Sequence, residues 1–241
     1  MIIPAAGLGT RMSPGGKKGV ASKQFFEING TPIVVHTLRV FARNQQVSQI
    51  VVALRKNEME RFSRQLEKEN LSAKVEMVEG GEHRQESVAN ALAKLDADVN
   101  DIVLVHDAVR PFVDDEIIAN VVREVQKRGA AIAALPAVDT IKQVDRTSEG
   151  AIITSTIPRE RVVQAQTPQG FRYGVIKKAF DSAIADGFIG TDEASLVERI
   201  GESVSVVMGS ARNIKITTPA DLELAEFLLG SLPRINAEKR G

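Results

Sequence analysis

The sequence predicts an α/β protein built on a doubly wound, mostly parallel twisted sheet. From residue 2 to about residue 135, segments typical of buried strands alternate with segments of helical periodicity, which is the order found in such sheets. One strand segment, Asp101 to His106, has an unbroken apolar interior, as expected where helices cover both faces of a sheet. At 241 residues the chain is long enough to bury a sizeable core, so we expect a single domain over residues 1–230.

The first half of the chain supplies most of the predicted sheet. Ile2 and Ile3 open a short strand. Thr31 and Pro32 are typical of a helix start, with the threonine as N-cap and the proline as first helical residue. Further strands are predicted over residues 49–54, 74–78, 101–106 and 130–135, and helices over residues 57–70, from residue 84 and around residues 117–125.

The pattern changes after residue 137. Two polar segments of β-type residues, 140–144 and 151–154, flank a stretch with turn chemistry at 145–150. Because they contain too few large apolar residues for a core, we predict a β-hairpin arm that projects from the domain at about residues 138–165. Helices are then expected over residues 174–186, 192–200 and from Thr218, with a strand over 203–208 and a polar tail at 231–241.

Composition excludes several classes of function. Lys plus Arg and Asp plus Glu each number 31, so the net charge is zero, and we expect binding neither to nucleic acid nor to a membrane. The absence of cysteine excludes disulfides, thiolate metal sites and a cysteine nucleophile. No apolar run approaches the roughly 20 residues of a membrane span, and no signal-peptide pattern is present, so a cytoplasmic location is expected.

The segment from Ile2 to Gln24 has the composition of a phosphate-binding loop. Gly7 and Gly9 permit a close approach of the backbone to a ligand, where successive N–H groups can bind phosphate oxygens. Arg11 and Lys23 add positive charge. An ordinary turn with solvated cations is the alternative, since the loop is neither a Walker A motif nor a complete dinucleotide fingerprint.

A second pair of glycines follows another predicted strand, at the edge where open α/β sheets bind ligands. Gly80 and Gly81 precede a helix that contains Ser87. Backbone N–H groups of this turn can bind the edge of a base, and Ser87 can reach a ribose or a phosphate. A tight turn without a ligand is the alternative.

The central strand ends in charged residues. Asp107 can bind a hydrated Mg²⁺ ion or a ribose hydroxyl, and Arg110 suits an anionic substrate. For the neighbouring His106, a structural role is favoured over that of a base.

The sequences Ala5-Ala6-Gly7 and Lys23-Gln24 resemble those of the cytidylyltransferases that act on 2-C-methyl-D-erythritol 4-phosphate in the non-mevalonate isoprenoid pathway. These enzymes belong to the sugar-nucleotidyltransferase-like superfamily. The other motifs match in family order up to about residue 228. They include Thr191-Asp192-Glu193-Ala194 and the segment from Asn213 to Pro219, which is predicted to place Lys215 on a strand.

The resemblance implies a fold, a reaction and a set of site residues. The fold would be nucleotide-diphospho-sugar transferase-like and Rossmann-like. The reaction would join CTP and 2-C-methyl-D-erythritol 4-phosphate, giving 4-diphosphocytidyl-2-C-methyl-D-erythritol and pyrophosphate, with Mg²⁺ as cofactor and a homodimer that forms through the arm. The implied catalytic residues are Arg11, Lys23 and Lys215. The implied nucleotide-binding residues are Ala5, Ala6, Gly7, Gly9, Gly80, Gly81, Ser87 and Asp107, and Asp107 also lies near the metal. The substrate phosphate would be bound by Arg110, Thr140, Arg159, Thr167 and Lys215.

The chain departs from the family pattern in its first loop. The loop at residues 13–22 is longer than expected, and its Lys17 or Lys18 could share or take over the role of Lys23. Ser22 stands where the family usually has proline, and Val109 where it usually has alanine. Two other functions remain open, a ribitol-5-phosphate cytidylyltransferase and an inactive nucleotide-binding regulator on the same fold.

Overall fold

The computed structural model describes residues 1–7, 22–69, 71 and 73–231. The predictions for Gly9, Arg11, Lys17, Lys18 and the polar tail from residue 232 lie outside the described residues. In the described ranges, no helix is both long and apolar enough to cross a membrane.

The described part of the chain contains a mixed sheet of seven strands. In spatial order these are β11 (Ser205–Met208), β7 (Ala130–Pro136), β10 (Val163–Arg172), β6 (Ile102–Val105), β1 (Ile2–Pro4), β4 (Gln49–Leu54) and β5 (Lys74–Glu79). All neighbours are parallel except β10, which runs antiparallel between β6 and β7. The prediction of a mostly parallel α/β sheet is therefore confirmed.

Helices cover both faces of the sheet. They are α1 (Ile33–Ala42), α2 (Lys56–Leu66), α3 (Arg84–Leu92), α4 (Asp115–Arg128), α5 (Tyr173–Ala185), α6 (Glu193–Arg199) and α7 (Pro219–Ser231). Successive strand residues alternate between two cores: Ile3 and Leu104 pack with α1 and α4, whereas Ile2 and Val103 pack with α3, α5 and α6. Because strand side chains alternate faces and both faces are covered, the central strands β1 and β6 are apolar throughout.

Two predicted local structures are wrong. Thr31 is not a helix cap. It belongs with Pro32 to strand β3 (Thr31–Pro32), which pairs with β2 (Glu27–Ile28) around a tight turn. Helix α1 therefore begins only at Ile33. Lys215 does not lie on a strand. Its segment is instead held by single contacts such as that of the Ile216 amide, which donates to the Val109 carbonyl at 2.9 Å.

The predicted hairpin is present as β8 (Ile141–Thr147) and β9 (Gly150–Ile157), which pair only with each other among the described strands. Almost all of its side chains are exposed. Val163 to Ala165, which we expected to close the arm, already pair with β7 as the start of β10. Strand β10 was not predicted, because Pro168, Gly170 and the several polar residues of this segment are untypical of a central strand.

Candidate active site

The predicted site residues meet at the edge formed by the carboxyl ends of the parallel strands. A cavity of about 120 Å³, here called the loop cavity, lies between the segments that follow β1, β5 and β6. Among the residues that line it are Ala5, Ala6, Gly7, Lys23, Gly81, Ser87, Asp107 and Lys215. A neighbouring cavity of about 110 Å³, here called the Thr167 cavity, shares Arg84, Asp107 and Lys215 with it and adds Arg110 and Thr167.

The Gly80–Gly81 turn is held tightly inside the protein. A Cβ atom on Gly80 would lie 2.4 Å from Cβ of Ala6, so only glycine permits this approach of the two strand ends. The Gly80 amide donates to the Leu54 carbonyl at 2.7 Å, and the Gly81 amide donates to Oγ of Ser87 at 3.1 Å. The expectation that these N–H groups bind a base is therefore wrong.

Ser87 supports this turn as well as lining the loop cavity. Its hydroxyl group donates to the His83 carbonyl at 3.1 Å while accepting from Gly81. A ligand can therefore approach its oxygen only as a donor.

Lys23 is brought to the loop cavity by its neighbours. The buried Gln24 side chain donates to the Ala5 carbonyl and, at 3.3 Å, to Oε2 of Glu58, which ties the end of the loop to the end of β1. Ser22 has φ −58° and ψ 143°, values that proline would also adopt, so its departure from the family pattern leaves the backbone path unchanged. The Lys23-Gln24 pair thus combines a charged residue with the residue that positions it.

Asp107 is the centre of a cluster of cations. Oδ2 lies 2.9 Å from Nζ of Lys215 and 3.3 Å from Nε of Arg110, and Oδ1 lies 3.4 Å from Nε of Arg84. Burial by itself would raise the pKa of Asp107, but the three cations, Arg84 foremost, hold the pKa well below its ordinary value. Asp107 is therefore a permanent carboxylate that gathers positive charge at the sheet edge.

A chain of hydrogen bonds fixes the residues behind Asp107. Oγ1 of Thr167 accepts from the Asp107 amide at 3.1 Å and donates to Nδ1 of His106 at 2.9 Å, while Nε2 of His106 donates to the Arg110 carbonyl at 3.0 Å. Burial lowers the pKa of His106 to about 4, so its ring is neutral. His106 is structural, as predicted.

Arg110 and Thr167 both reach the site, but with partners inside the protein. Nη1 of Arg110 donates to the Asn213 carbonyl at 2.6 Å, and burial lowers the pKa of this guanidinium. Thr167 is brought there by β10, because its register places Gln169 opposite Val105 at the end of β6. Both residues line the Thr167 cavity.

The two arm residues are not brought to this edge. Thr140 and Arg159 are exposed, and neither lines the loop cavity or the Thr167 cavity. Nη1 of Arg159 donates to the Val138 carbonyl within the arm at 2.9 Å.

Sequence reasoning missed Arg84 and gave Glu193 no role. Arg84 lines both cavities and pairs with the buried Glu193 at 2.6 Å. The available signals were the position of Arg84, shortly after a glycine turn at a helix start, and the motif that contains Glu193. Their pairing joins positions 109 residues apart, which no local pattern predicts.

The acidic side chains set limits on a metal site. No group of three or more His, Cys, Asp or Glu residues that could hold an ion occurs in the part of the chain that the structure describes. Asp107 is the acidic residue that lines both cavities. One carboxylate fits Mg²⁺ that is bound mainly by substrate phosphates and water, rather than a dedicated protein cage.

Comparisons with known proteins identify the family of this chain. The family model described as "IspD: 2-C-methyl-D-erythritol 4-phosphate cytidylyltransferase" matches residues 1–231. A protein of that name from Acidobacterium capsulatum is 58% identical over 229 residues, covering 95% of this chain and 96% of its own length. Another from Solibacter usitatus is 50% identical over 231 residues, covering 95% and 94%.

Solved structures are similar over the same range. A 4-diphosphocytidyl-2C-methyl-D-erythritol synthase from Anaerococcus prevotii superposes with a TM-score of 0.80 at 31% identity, covering 95% of this chain and 94% of its own. The 2-C-methyl-D-erythritol 4-phosphate cytidylyltransferase from Francisella tularensis gives a TM-score of 0.77 at 36% identity, covering 94% and 97%.

Proposed function

Since the chain belongs to the 2-C-methyl-D-erythritol 4-phosphate cytidylyltransferase family and is a CTP-dependent cytidylyltransferase of isoprenoid precursor synthesis, we propose that its reaction takes place in the loop cavity and the Thr167 cavity. The observation that supports this most is the convergence of Lys23, Lys215 and the two glycine segments around one carboxylate, Asp107. Both substrates are anions, and cations here lie between them.

The chemistry requires neutralisation of charge more than acid–base catalysis. A phosphate oxygen of 2-C-methyl-D-erythritol 4-phosphate attacks the α-phosphorus of CTP, the new P–O bond forms, and pyrophosphate leaves with the electrons of the broken P–O bond. The attacking phosphate is already ionised near neutral pH, so no general base is needed. Repulsion between the anions is the main barrier, and preorganised cations that hold both in line lower it.

The loop cavity is proposed to bind CTP. Ala6 and Gly7 would bind its triphosphate, with Gly9 and Arg11 from the same loop, while Ala5, whose amide donates to the Ala53 carbonyl at 2.7 Å, would line the cavity beside them. Lys23 would neutralise the charge that builds on the α-phosphate. The base would lie against Gly80 and Gly81, whose carbonyl oxygens can accept from the amino group of cytosine. Ser87 and Asp107 would then be nearest to the ribose.

The Thr167 cavity is proposed to bind the phosphate of the second substrate. Lys215 lines both cavities and its side chain is 39% exposed, so its ammonium group can contact the phosphates of either ligand. Arg110 and Thr167 lie beside it. Nη1 of Arg110 already donates to the Asn213 carbonyl, so the rest of the guanidinium group would bind the substrate phosphate.

Thr140 and Arg159 are proposed to complete the site from a second subunit. The arm exposes large apolar side chains, with Val138 at 78%, Ile152 at 63% and Ile153 at 60%. An isolated hairpin with an apolar surface is normally covered by a partner. A two-fold homodimer that exchanges arms would cover it and bring Arg159 to the partner's cavity.

A divalent cation, Mg²⁺, is proposed to enter with CTP. It would supply charge neutralisation at the phosphates, and Asp107, both of whose oxygens already face protein cations, would hold it through water. A cytoplasmic location is also part of the proposal and is supported by the composition discussed above.

Pyrophosphate release tests the proposed function. The purified protein is supplied with CTP and Mg²⁺ and with either 2-C-methyl-D-erythritol 4-phosphate or ribitol 5-phosphate. Release with the first alone supports the proposal. Release with ribitol 5-phosphate alone would reassign the substrate, and release with neither would indicate a nucleotide-binding protein without turnover.

A further inference from the structure

An ion pair between the first residues of two helices is not explained by the functions assigned so far. Arg84 begins α3 and Glu193 begins α6, and Nη1 of the arginine lies 2.6 Å from Oε1 of the glutamate. The other side of the same guanidinium group faces the site, since Nε lies 3.4 Å from Oδ1 of Asp107. Arg84 thus connects a buried carboxylate to the carboxylate at the centre of the site.

Stability alone gives a poor account of this pair. The Glu193 side chain is 1% exposed, and its Oε2 atom is buried without a hydrogen-bond partner among the described residues. Burial raises the pKa of this carboxyl group, against the attraction of Arg84. A buried ion pair of this kind commonly stabilises a protein no better than an apolar pair of the same volume. Its geometry, rather than its energy, therefore requires an explanation.

That geometry divides the two oxygens of Asp107 between different cations. Oδ1 faces Arg84, while Oδ2 faces Lys215 at 2.9 Å and Arg110 at 3.3 Å. Lys215 needs such an anchor, because its segment belongs to no strand or helix. An arginine with a fixed orientation prevents rotation of the carboxylate and so keeps Oδ2 directed at the lysine.

We propose that the Arg84–Glu193 pair positions Asp107, and through it Lys215, for cytidylyl transfer. Glu193 fixes the guanidinium group of Arg84, and Arg84 fixes Oδ1 of Asp107. Both are positioning residues, and the inference rests on the function proposed above. Loss of either residue lowers the rate of the chemical step, because a small displacement of an aligned cation costs rate even where binding persists.

A double-mutant cycle tests this chain of contacts. Arg84→Gln, Glu193→Gln and the double variant are assayed for kcat and for KM with each substrate. Each single change is expected to lower kcat by about tenfold or more, as for partners that orient an active-site ligand. The double variant is expected to be no slower than the slower single variant, because the two residues act through one another.

Arg199→Gln is the matched control. Its side chain is 31% exposed, like that of Arg84, and it pairs with Asp186 away from both cavities. It is expected to keep the wild-type kcat and to lose little thermal stability, because its partner Asp186 is more than half exposed. Glu193→Asp, which keeps the charge on a shorter side chain, replaces Glu193→Gln if that variant fails to fold, and is expected to show the same loss of kcat.

Three results would overturn the proposal. The first is a double variant in which the losses of kcat of the two single variants multiply. The others are single variants that keep normal kcat in the folded protein and show only a lower melting temperature, or only a raised KM. Full recovery of kcat by Arg84→Lys would also overturn it, because charge without orientation would then suffice. These results all presuppose an active wild type. A wild type that fails to join CTP and 2-C-methyl-D-erythritol 4-phosphate would instead contradict the proposed function.

Discussion

Nζ of Lys215 lies 2.9 Å from Oδ2 of Asp107, although the two residues are 108 positions apart in the chain (215 − 107). Asp107 follows the central strand and is buried, whereas the Lys215 side chain is 39% exposed at the boundary of both cavities. The carboxylate therefore holds this cation at the boundary where, in the proposed function, the two anionic substrates would meet.

Replacement of Lys215 by alanine is expected to lower kcat by about 10²-fold or more, because a preorganised donor to the transition state is lost. The fold should persist, since the lysine is partly exposed. Steady-state kinetics and circular dichroism measure the two effects. Lys178→Ala, which removes an exposed lysine that pairs with Glu202 on the surface, should leave kcat unchanged. Normal turnover in Lys215→Ala would remove this residue from the mechanism.

Lys23→Ala and Arg11→Ala are each expected to lower kcat by about 10²-fold or more for the same reason. Lys17→Ala and Lys18→Ala serve as controls in the same loop and should retain most of the activity. The opposite ranking, with Lys23→Ala nearly normal and one of the loop variants inactive, would show that the long loop has moved the catalytic lysine.

CTP should be preferred over UTP by well over tenfold in kcat/KM. The amides of the Gly80–Gly81 turn already donate within the protein, so its carbonyl oxygens are the groups proposed to bind the base. Uracil has no amino group to donate to them. Competition between the two nucleotides in one assay measures the ratio. Equal use of UTP would contradict the assignment of this turn to the base.

The His106 ring should remain neutral and carry its proton on Nε2 down to about pH 5, since burial lowers its pKa to about 4. Nitrogen chemical shifts of the ring, followed through a pH titration, report both the tautomer and the pKa. Because this pKa lies below the unfolded value of about 6.5, the unfolded state binds more protons between these values. The neutral ring thus stabilises the fold above pH 6.5, and this stabilisation is lost as the pH falls toward 4. Titration near pH 6.5 in the folded protein would contradict the buried hydrogen-bonded geometry.

Mixtures of Arg159→Ala and Lys23→Ala should recover activity that neither homodimer has. If arms are exchanged, each mixed dimer contains one site with both residues intact. Random exchange at equal amounts makes about half of the dimers mixed, so recovery approaches about a quarter of the wild-type rate. Subunit exchange is confirmed independently by mass spectrometry of differently labelled chains. No recovery after confirmed exchange would mean that each arm serves its own subunit.

The sequence by itself determined the fold class, the order of most elements and the segments that line the two candidate cavities. These features depend on local patterns: apolar runs predict buried strands, and glycines at strand ends mark close approaches. The hairpin arm was predicted in the same way, from residues that could not build a core. Local patterns misled where two of them competed, as at Thr31, which pairs with Ile28 in a short hairpin instead of capping a helix.

Only the tertiary structure decided which side chains meet. The antiparallel insertion of β10 brings Thr167 to the Asp107 amide, and the meeting of the first residues of α3 and α6 pairs Arg84 with Glu193. Such contacts join residues that are far apart in the chain, and their partners depend on how strands are ordered and helices packed. A motif predicts that a residue is near the ligand, but the surrounding packing determines which of its atoms remain available to that ligand.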